Sequence, residues 1–168
     1  MTQLTKICIM NALKNDLSIC ERSHYTATQL LNSVNISRST LYYHFNGGIE
    51  DALVYTVDHE LIQPLTKEQM DWRQSTVFIL GYVANHQMLT RNVYALAGNA
   101  LSLAMVRQQL VNALVTGNQT NYQPAQLQLL CGALVAEVQF WLATNFQEDV
   151  DEICARLTTF DQLLSKLD

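Results

Sequence analysis

The segment from residue 26 to residue 45 restricts the fold of this chain most, because it has the spacing of two short helices joined by a tight turn. Thr26 is a good N-cap, and apolar residues recur behind it at i, i+3, i+4 and i+7. These residues are Ala27, Leu30, Leu31 and Val34. Asn35 tolerates the left-handed conformation that ends many helices. Ser37 can cap a second helix, in which Leu41 and Phe45 face inward.

The outward face of the second helix carries small polar, aromatic and basic side chains, which suit contact with DNA. They are Arg38, Ser39, Thr40, Tyr43 and His44, with Tyr42 at the edge between the two faces. In a helix-turn-helix protein the second helix enters the major groove. An ordinary surface helix that carries Tyr and His has the same spacing, so the spacing alone leaves both interpretations open.

Each of these side chains has an expected role if the segment binds DNA. Thr26 and Tyr42 are expected to anchor phosphates, with His44 beside them. The remaining residues are expected to read or flank bases, and they are Arg38, Ser39, Thr40 and Tyr43.

The same twenty residues resemble the signature of the TetR family of bacterial transcription regulators. The resemblance is carried by Leu30, Ser37, Thr40-Leu41-Tyr42 and His44-Phe45. It implies a homodimer that binds a palindromic double-stranded DNA operator and is released, or occasionally recruited, by a small ligand.

The sequence departs from the family pattern at two places. Asn35 stands at the turn, where the family usually has Gly. Gly48 stands where a phosphate-contacting Lys is common, and the Leu expected soon afterwards is displaced to Leu53. DNA affinity below that usual for the family is therefore expected.

The remainder of the chain reads as helical, with no strand pattern, so the expected fold class is all-α. We expect an N-terminal three-helix DNA-binding domain over residues 1–48 and a helical ligand-binding and dimerisation domain over residues 49–168. Helices are predicted over residues 4–17, 49–62 and 67–88. The segment 91–116 is predicted as two helices broken near Gly98, and Pro124 is placed at the start of the next helix.

The last two helices are predicted to form a four-helix bundle with a second copy of the chain. Their apolar stripes supply the residues expected at the dimer interface, which are Leu127, Leu134, Val138, Trp141, Ile153, Leu157, Phe160 and Leu164. Burial of both faces inside one subunit is the alternative that the pattern leaves open.

A pocket for a small hydrophobic or aromatic effector is expected in the middle of the chain, where aromatic and Met side chains are mixed with polar groups. The candidate lining residues are Trp72, Phe78, Tyr82, His86, Tyr94 and Met105. The same stripe is also compatible with plain hydrophobic core.

The charge distribution leaves only the N-terminal part able to meet a polyanion without broad repulsion. The net charge is −5, but residues 1–50 carry four basic and three acidic residues, a net of +1, and the rest carries −6. So small a positive charge predicts few neutralised phosphates and a shallow salt dependence.

The cysteine pattern and the absence of known site motifs argue against a disulfide-linked protein, a metalloprotein and an enzyme. The four cysteines show no CxxC pair and are interpreted as small core residues of a cytoplasmic protein. No membrane span and no signal peptide is expected. The sequence shows no metal-ligand spacing, phosphate-binding glycine loop or nucleophile motif, so neither an enzyme nor a cofactor is predicted.

The resulting expectation is a ligand-responsive, homodimeric DNA-binding transcription regulator, most often a repressor in the family that the motif resembles. The alternative is a dimeric coactivator or adaptor of the same fold that does not bind DNA tightly by itself. The weak positive charge of residues 1–50 and the Gly at position 48 motivate that alternative.

Overall fold

A computed structural model describes residues 2–117 and 122–166, and these residues are all-α with no strand among them. The expected fold class is confirmed. The chain divides into two compact units, Met1–His59 with His86–Leu101, and Glu60–Asn85 with Ser102–Asp168.

The first unit is built around its first helix. Its helices are α1 Thr2–Ile19, α2 Ala27–Val34, α3 Arg38–His44, α4 Ile49–Val57 and α7 Gln87–Ala97. Helix α1 contacts each of the other four and buries Ile9, Leu13 and Leu17 completely. The unit is thus larger than the expected DNA-binding segment 1–48, because α4 and α7 pack on the same central helix.

The second unit is a helical bundle with one continuous hydrophobic core. Its helices are α5 Gln63–Lys67, α6 Trp72–Asn85, α8 Leu103–Thr116, α9 Pro124–Ala143 and α10 Val150–Leu164. Helix α9 contacts α6, α8 and α10. The core is formed by leucines of α8 and α9, by Trp72 and Trp141, and by Ile153 and Leu157.

Several helix boundaries follow the sequence expectations. Helix α7 ends immediately before Gly98, and Pro124 is the first residue of α9. The helix expected over 49–62 is α4 followed by a π-helical turn, Asp58–Ile62, and Pro64 lies in the first turn of α5. The helix expected over 67–88 is shorter, because Asp71 and Gln74 exchange backbone and side-chain hydrogen bonds that fix its start at Trp72.

The structure does not expose most of the residues that the sequence places at the dimer interface. Most are buried in the core of their own unit, where other helices of the same chain cover them. These are Leu127, Leu134, Trp141, Ile153, Leu157 and Leu164, and Val138 and Phe160 are half-buried against the same core. The large apolar side chains that α9 and α10 expose are instead Leu129, Phe140 and Leu163.

Helix α9 is apolar on the face it exposes as well as on the face it buries. Among the described residues it alone is long and apolar enough to cross a membrane, and 33% of its most apolar 18-residue stretch is buried. Length and composition alone are weak grounds for a membrane span, because core helices of soluble proteins are often as long and as apolar.

Two of the four cysteines differ from the expectation of core positions. Cys8 and Cys20 are exposed, Cys131 is buried and Cys154 is half-buried. Cys8 lies on the solvent-exposed side of α1, and Cys20 lies just beyond the end of that helix.

Candidate nucleic-acid interface

Helix α2 begins at a reciprocal cap that fixes its first turn. The Thr26 hydroxyl accepts a hydrogen bond from the Gln29 backbone N–H at 3.3 Å, and the Gln29 carboxamide oxygen accepts one from the Thr26 N–H at 2.8 Å. This is a capping box. The Thr26 hydroxyl also lies 3.0 Å from the same Gln29 oxygen. Contact of this hydroxyl with a phosphate would therefore compete with Gln29.

The turn between α2 and α3 has the geometry that the sequence indicates. Asn35 adopts φ 52 and ψ 49, and its N–H bonds to the Leu31 carbonyl at 2.9 Å. The left-handed conformation at Asn35 ends α2 and lets α3 begin three residues later, at Arg38. Ser37 then caps α3, its hydroxyl accepting from the Thr40 N–H at 3.1 Å.

Helix α3 presents the expected residues on its outer face. Tyr43 is 80% exposed, and Arg38, Ser39 and Tyr42 are exposed too. Leu41 is fully buried beneath them, and α3 packs against both α1 and α2. Seen from outside, α3 therefore offers a guanidinium, a hydroxyl and two phenols.

Some of these polar groups already have partners within the chain. The Arg38 guanidinium donates to the Thr28 hydroxyl at 3.1 Å, and this bond joins α3 to α2. The Ser37 hydroxyl lies 2.8 Å from that of Ser39 and 2.7 Å from that of Thr40. Thr40 is half-buried, so Arg38, Ser39 and Tyr43 are the more accessible base-contacting candidates.

His44 ends the helix in an unusual environment. It is half-buried with its ring edge-on to Tyr43, and its Nδ1 atom is buried with no hydrogen-bond partner among the described residues. The side chain therefore retains a polar atom that no described group satisfies.

The junction after α3 explains the Gly at position 48. Gly48 has φ +67, and a Cβ there would lie 3.2 Å from the ring of Tyr42. A Lys at this position would be strained in the backbone and crowded by that ring. The neighbouring Gly47 N–H donates to the Asp51 carboxylate at 2.6 Å, so an acidic side chain occupies the start of α4.

A partly buried polar cluster ties α1 to α2, and it was not predicted from the sequence. The Tyr25 hydroxyl and the Ser33 hydroxyl both donate to Asp16 Oδ2, the latter at 2.6 Å. Burial, and then the bond to Asp16, raise the pKa of Tyr25 well above its usual value. The Arg22 guanidinium lies 5.6 Å from the centre of the Tyr25 ring. Asp16 and Ser33 lie on separate helices, and no local pattern predicts their contact.

The residues expected to line an effector pocket do not share one environment. Trp72 is 3% exposed and belongs to the core of the second unit, and Phe78 packs against that core. Tyr82 donates to Glu60 at 3.1 Å, and burial, then Glu60, raise its pKa. Met105 is exposed on α8.

His86 and Tyr94 belong to the first unit instead. His86 occupies the N-cap position of α7, and Tyr94 is exposed on the same helix. Among the described residues, no group of three or more His, Cys, Asp or Glu side chains is placed to hold a metal ion.

Comparison with known proteins gives a structural likeness but no match to a family model or a curated sequence. The chain superposes on the solved structure of the dihydroxyacetone kinase operon activator DhaS with a TM-score of 0.65. The alignment covers 96% of each chain at 12% sequence identity, a level at which the shared property is the fold. No protein-family model and no curated protein gives a significant match.

Proposed function

We propose that the chain is a homodimeric transcription regulator that binds a palindromic DNA operator through α3 and responds to a small effector. The observation that carries the proposal is the outer face of α3, held by capped helix ends on a fully buried Leu41. The fold shared with a protein described as an operon activator supports a regulatory role.

Arg38, Ser39, Tyr42 and Tyr43 provide the polar contacts with DNA in this proposal. An Arg can pair with a guanine edge, and hydroxyls bond phosphates or bases. Thr26, Thr40 and His44 contribute phosphate or base contacts at the edges of the surface. Two recognition helices of a dimer must lie about 34–36 Å apart to enter successive major grooves. An effector that binds better at another spacing weakens DNA binding by the difference in its affinities for the two states.

The exposed apolar face of the last two helices is the proposed dimer interface. Leu129 and Phe140 are 53% and 58% exposed, and with Ala136 they fall on one side of α9. Leu163 is exposed on α10. Exposed apolar side chains of this size, on the face of α9 opposite its buried face, favour coverage by a second copy.

The dimer is tested by measuring mass in solution for Phe140→Asp and for Leu4→Asp, a matched control that places the same charge at an exposed apolar residue of α1. We expect the first variant to be monomeric and the control to remain dimeric. A dimeric Phe140→Asp protein would contradict the proposed interface.

The DNA-binding proposal is tested by fluorescence anisotropy with the DNA upstream of the coding sequence, over a series of salt concentrations. Arg38→Ala is expected to weaken binding by about 1–3 kcal/mol if Arg38 reads a base. Lys67→Ala removes the same charge from an exposed residue of the second unit and is the control. Equal affinities of Arg38→Ala and the unchanged protein would contradict the role of Arg38.

A coactivator or adaptor is the second candidate, favoured by the Asp51 carboxylate at the start of α4 and by the net charge of +1 over residues 1–50. A dimer that binds no upstream DNA at low salt would support it. The direction of regulation is a separate question. Repression is expected from the motif, whereas the structural neighbour is described as an activator, and a reporter gene behind the upstream DNA distinguishes the two.

A further inference from the structure

A cleft of about 250 Å³ lies between α6 and α10 of the second unit. Its walls are apolar where Trp72, Val77 and Leu157 line it, and polar where Arg73, Thr158 and Asp161 do. The cleft combines apolar surface with a positive and a negative side chain. It therefore differs from the pocket for a hydrophobic or aromatic effector that the sequence predicts.

Asp161 brings a carboxylate to the wall of this cleft. Its Oδ1 atom is buried and has no hydrogen-bond partner among the described residues. The carboxyl group also forms a hydrogen bond with Tyr122, whose pKa is raised first by burial and then by that bond. Because Asp161 also lines the cleft, its carboxylate can accept a charge-assisted hydrogen bond from a donor group that enters there.

The threonines of the cleft wall add further acceptors. The Thr76 hydroxyl donates to the Trp72 carbonyl at 2.9 Å, and the Thr158 hydroxyl donates to the Cys154 carbonyl at 2.8 Å. Since each hydroxyl has one hydrogen, both can only accept from a ligand. A group with several N–H donors, such as an ammonium, matches this set.

Arg73 supplies the opposite charge at the same cleft. It is exposed, and it forms no ion pair within residues 2–117 and 122–166. A guanidinium binds carboxylates through two parallel hydrogen bonds. A ligand with only an ammonium group would leave Arg73 without a partner and would be repelled by it.

We propose that the cleft binds a small zwitterion with an amino group, a carboxylate and an apolar side chain, the size of a free amino acid. The ammonium donates to Asp161, the carboxylate accepts from Arg73, and the side chain lies against Trp72 and Leu157. The volume is below the range of about 300–1,000 Å³ typical of pockets for drug-sized ligands. The inference rests on the proposed function in one respect only, which is that this ligand is the effector that controls DNA binding.

Binding is tested by isothermal titration calorimetry with the full chain and no DNA, using leucine, methionine and phenylalanine. We expect at least one to bind with a Kd between about 0.01 and 1 mM. For leucine the matched analogues are isopentylamine, which lacks the carboxylate, and isocaproate, which lacks the ammonium; methionine and phenylalanine have corresponding amines and acids. For whichever amino acid binds, we expect the Kd of each of its two analogues to be higher by a factor of about ten or more.

Charge variants locate the site. Asp161→Asn should weaken binding of the amino acid and leave binding of the analogue without an ammonium unchanged. Arg73→Gln should weaken binding of the amino acid and leave binding of the analogue without a carboxylate unchanged. Glu152→Gln removes a charge from an exposed residue of α10 that does not line the cleft, and it should bind as the unchanged protein does.

The proposal is overturned if none of the three amino acids shows saturable binding, or if both cleft variants bind like the Glu152→Gln control. Arg73 is exposed, so its variant tests the site even if Asp161→Asn unfolds. Because the calorimetry uses no DNA, the absence of amino-acid binding would not contradict the proposal that α3 binds DNA. The absence of DNA binding would likewise not contradict the proposal that the cleft binds an amino acid.

Discussion

The Asn92 side-chain oxygen accepts a hydrogen bond from the Arg22 backbone N–H at 2.8 Å, and its NH2 group donates to the carbonyls of Leu17 and Cys20 at 2.7 and 2.8 Å. Asn92 is fully buried on α7, and the groups it bonds lie at the end of α1 and in the connection to α2. One carboxamide therefore satisfies three backbone groups and joins α7 to the segment that precedes α2 and α3.

Replacing Asn92 by Ala should destabilise the first unit, because it leaves three backbone groups without their partner. Each buried group that stays unpaired costs about 1–3 kcal/mol. We expect a loss of at least about 2 kcal/mol in the free energy of unfolding, measured by urea denaturation. The control is Asn99→Ala, at an exposed residue of the same unit, for which a change below about 0.5 kcal/mol is expected. Equal stability of the two variants would show that these bonds contribute little.

Asp51→Asn should strengthen DNA binding if α3 meets DNA as proposed. The carboxylate accepts from the Gly47 N–H next to the end of α3, where it would repel a nearby phosphate. Asn keeps an acceptor for Gly47 and removes the charge, so we expect several-fold tighter binding at low salt, decreasing as salt screens the difference.

Fluorescence anisotropy across a salt series measures this effect, with Glu68→Gln in the second unit as a control for net charge. An unchanged affinity of Asp51→Asn at low salt would place the start of α4 away from the DNA.

The sequence predicts the local features of this fold well, because they depend on neighbouring residues. The caps at Thr26 and Ser37, the turn at Asn35 and the start of α9 at Pro124 all follow from residue type and spacing. The partner of the Thr26 cap could also have been found, since Gln29 stands three residues later, as a capping box requires.

Contacts between distant residues could not be predicted in this way. Helix α9 is apolar on opposite faces, so periodicity could not tell the buried face with Leu127 from the exposed face with Phe140. The bonds of Asn92 to the end of α1 span more than seventy residues of sequence. The charged cleft between α6 and α10 likewise depends on packing that no local pattern records.

Thiol reactivity should divide the four cysteines into two classes. Cys8 and Cys20 are exposed, whereas burial raises the pKa of Cys131 to about 12 and also raises that of Cys154. The thiolate is the reacting species, so Cys131 should be inert at pH values near 8. With an aromatic disulfide reagent we expect a fast phase from Cys8 and Cys20, and reaction of the others after unfolding. A fast phase that persists in the double variant Cys8→Ser with Cys20→Ser would show that Cys131 or Cys154 is accessible to the reagent, which contradicts the division into two classes.

Arg156 joins the last two helices by bonding two carboxylates. Its guanidinium bonds Glu137 of α9 at 2.6 and 3.0 Å, and it bonds Glu148 of the loop before α10 at 2.9 Å. The hydrogen bond with Arg156 lowers the pKa of Glu148 below its usual value of 4.5, against a smaller opposing effect of burial. Glu148 therefore binds its proton less readily in the folded chain than in the unfolded chain.

This difference makes the stabilisation by Glu148 dependent on pH. It is fully present above the ordinary pKa of 4.5 and is lost as the pH falls through the lower pKa of the folded state. We expect Glu148→Gln to lower Tm at neutral pH and to match the unchanged protein in strong acid. Thermal melts by circular dichroism from pH 7 to pH 2 measure this, with Glu68→Gln as an exposed control for the same change. A difference in Tm that stays constant across the range would show that the Glu148 variant acts through packing, because a lost ion pair must disappear once the carboxylate is protonated.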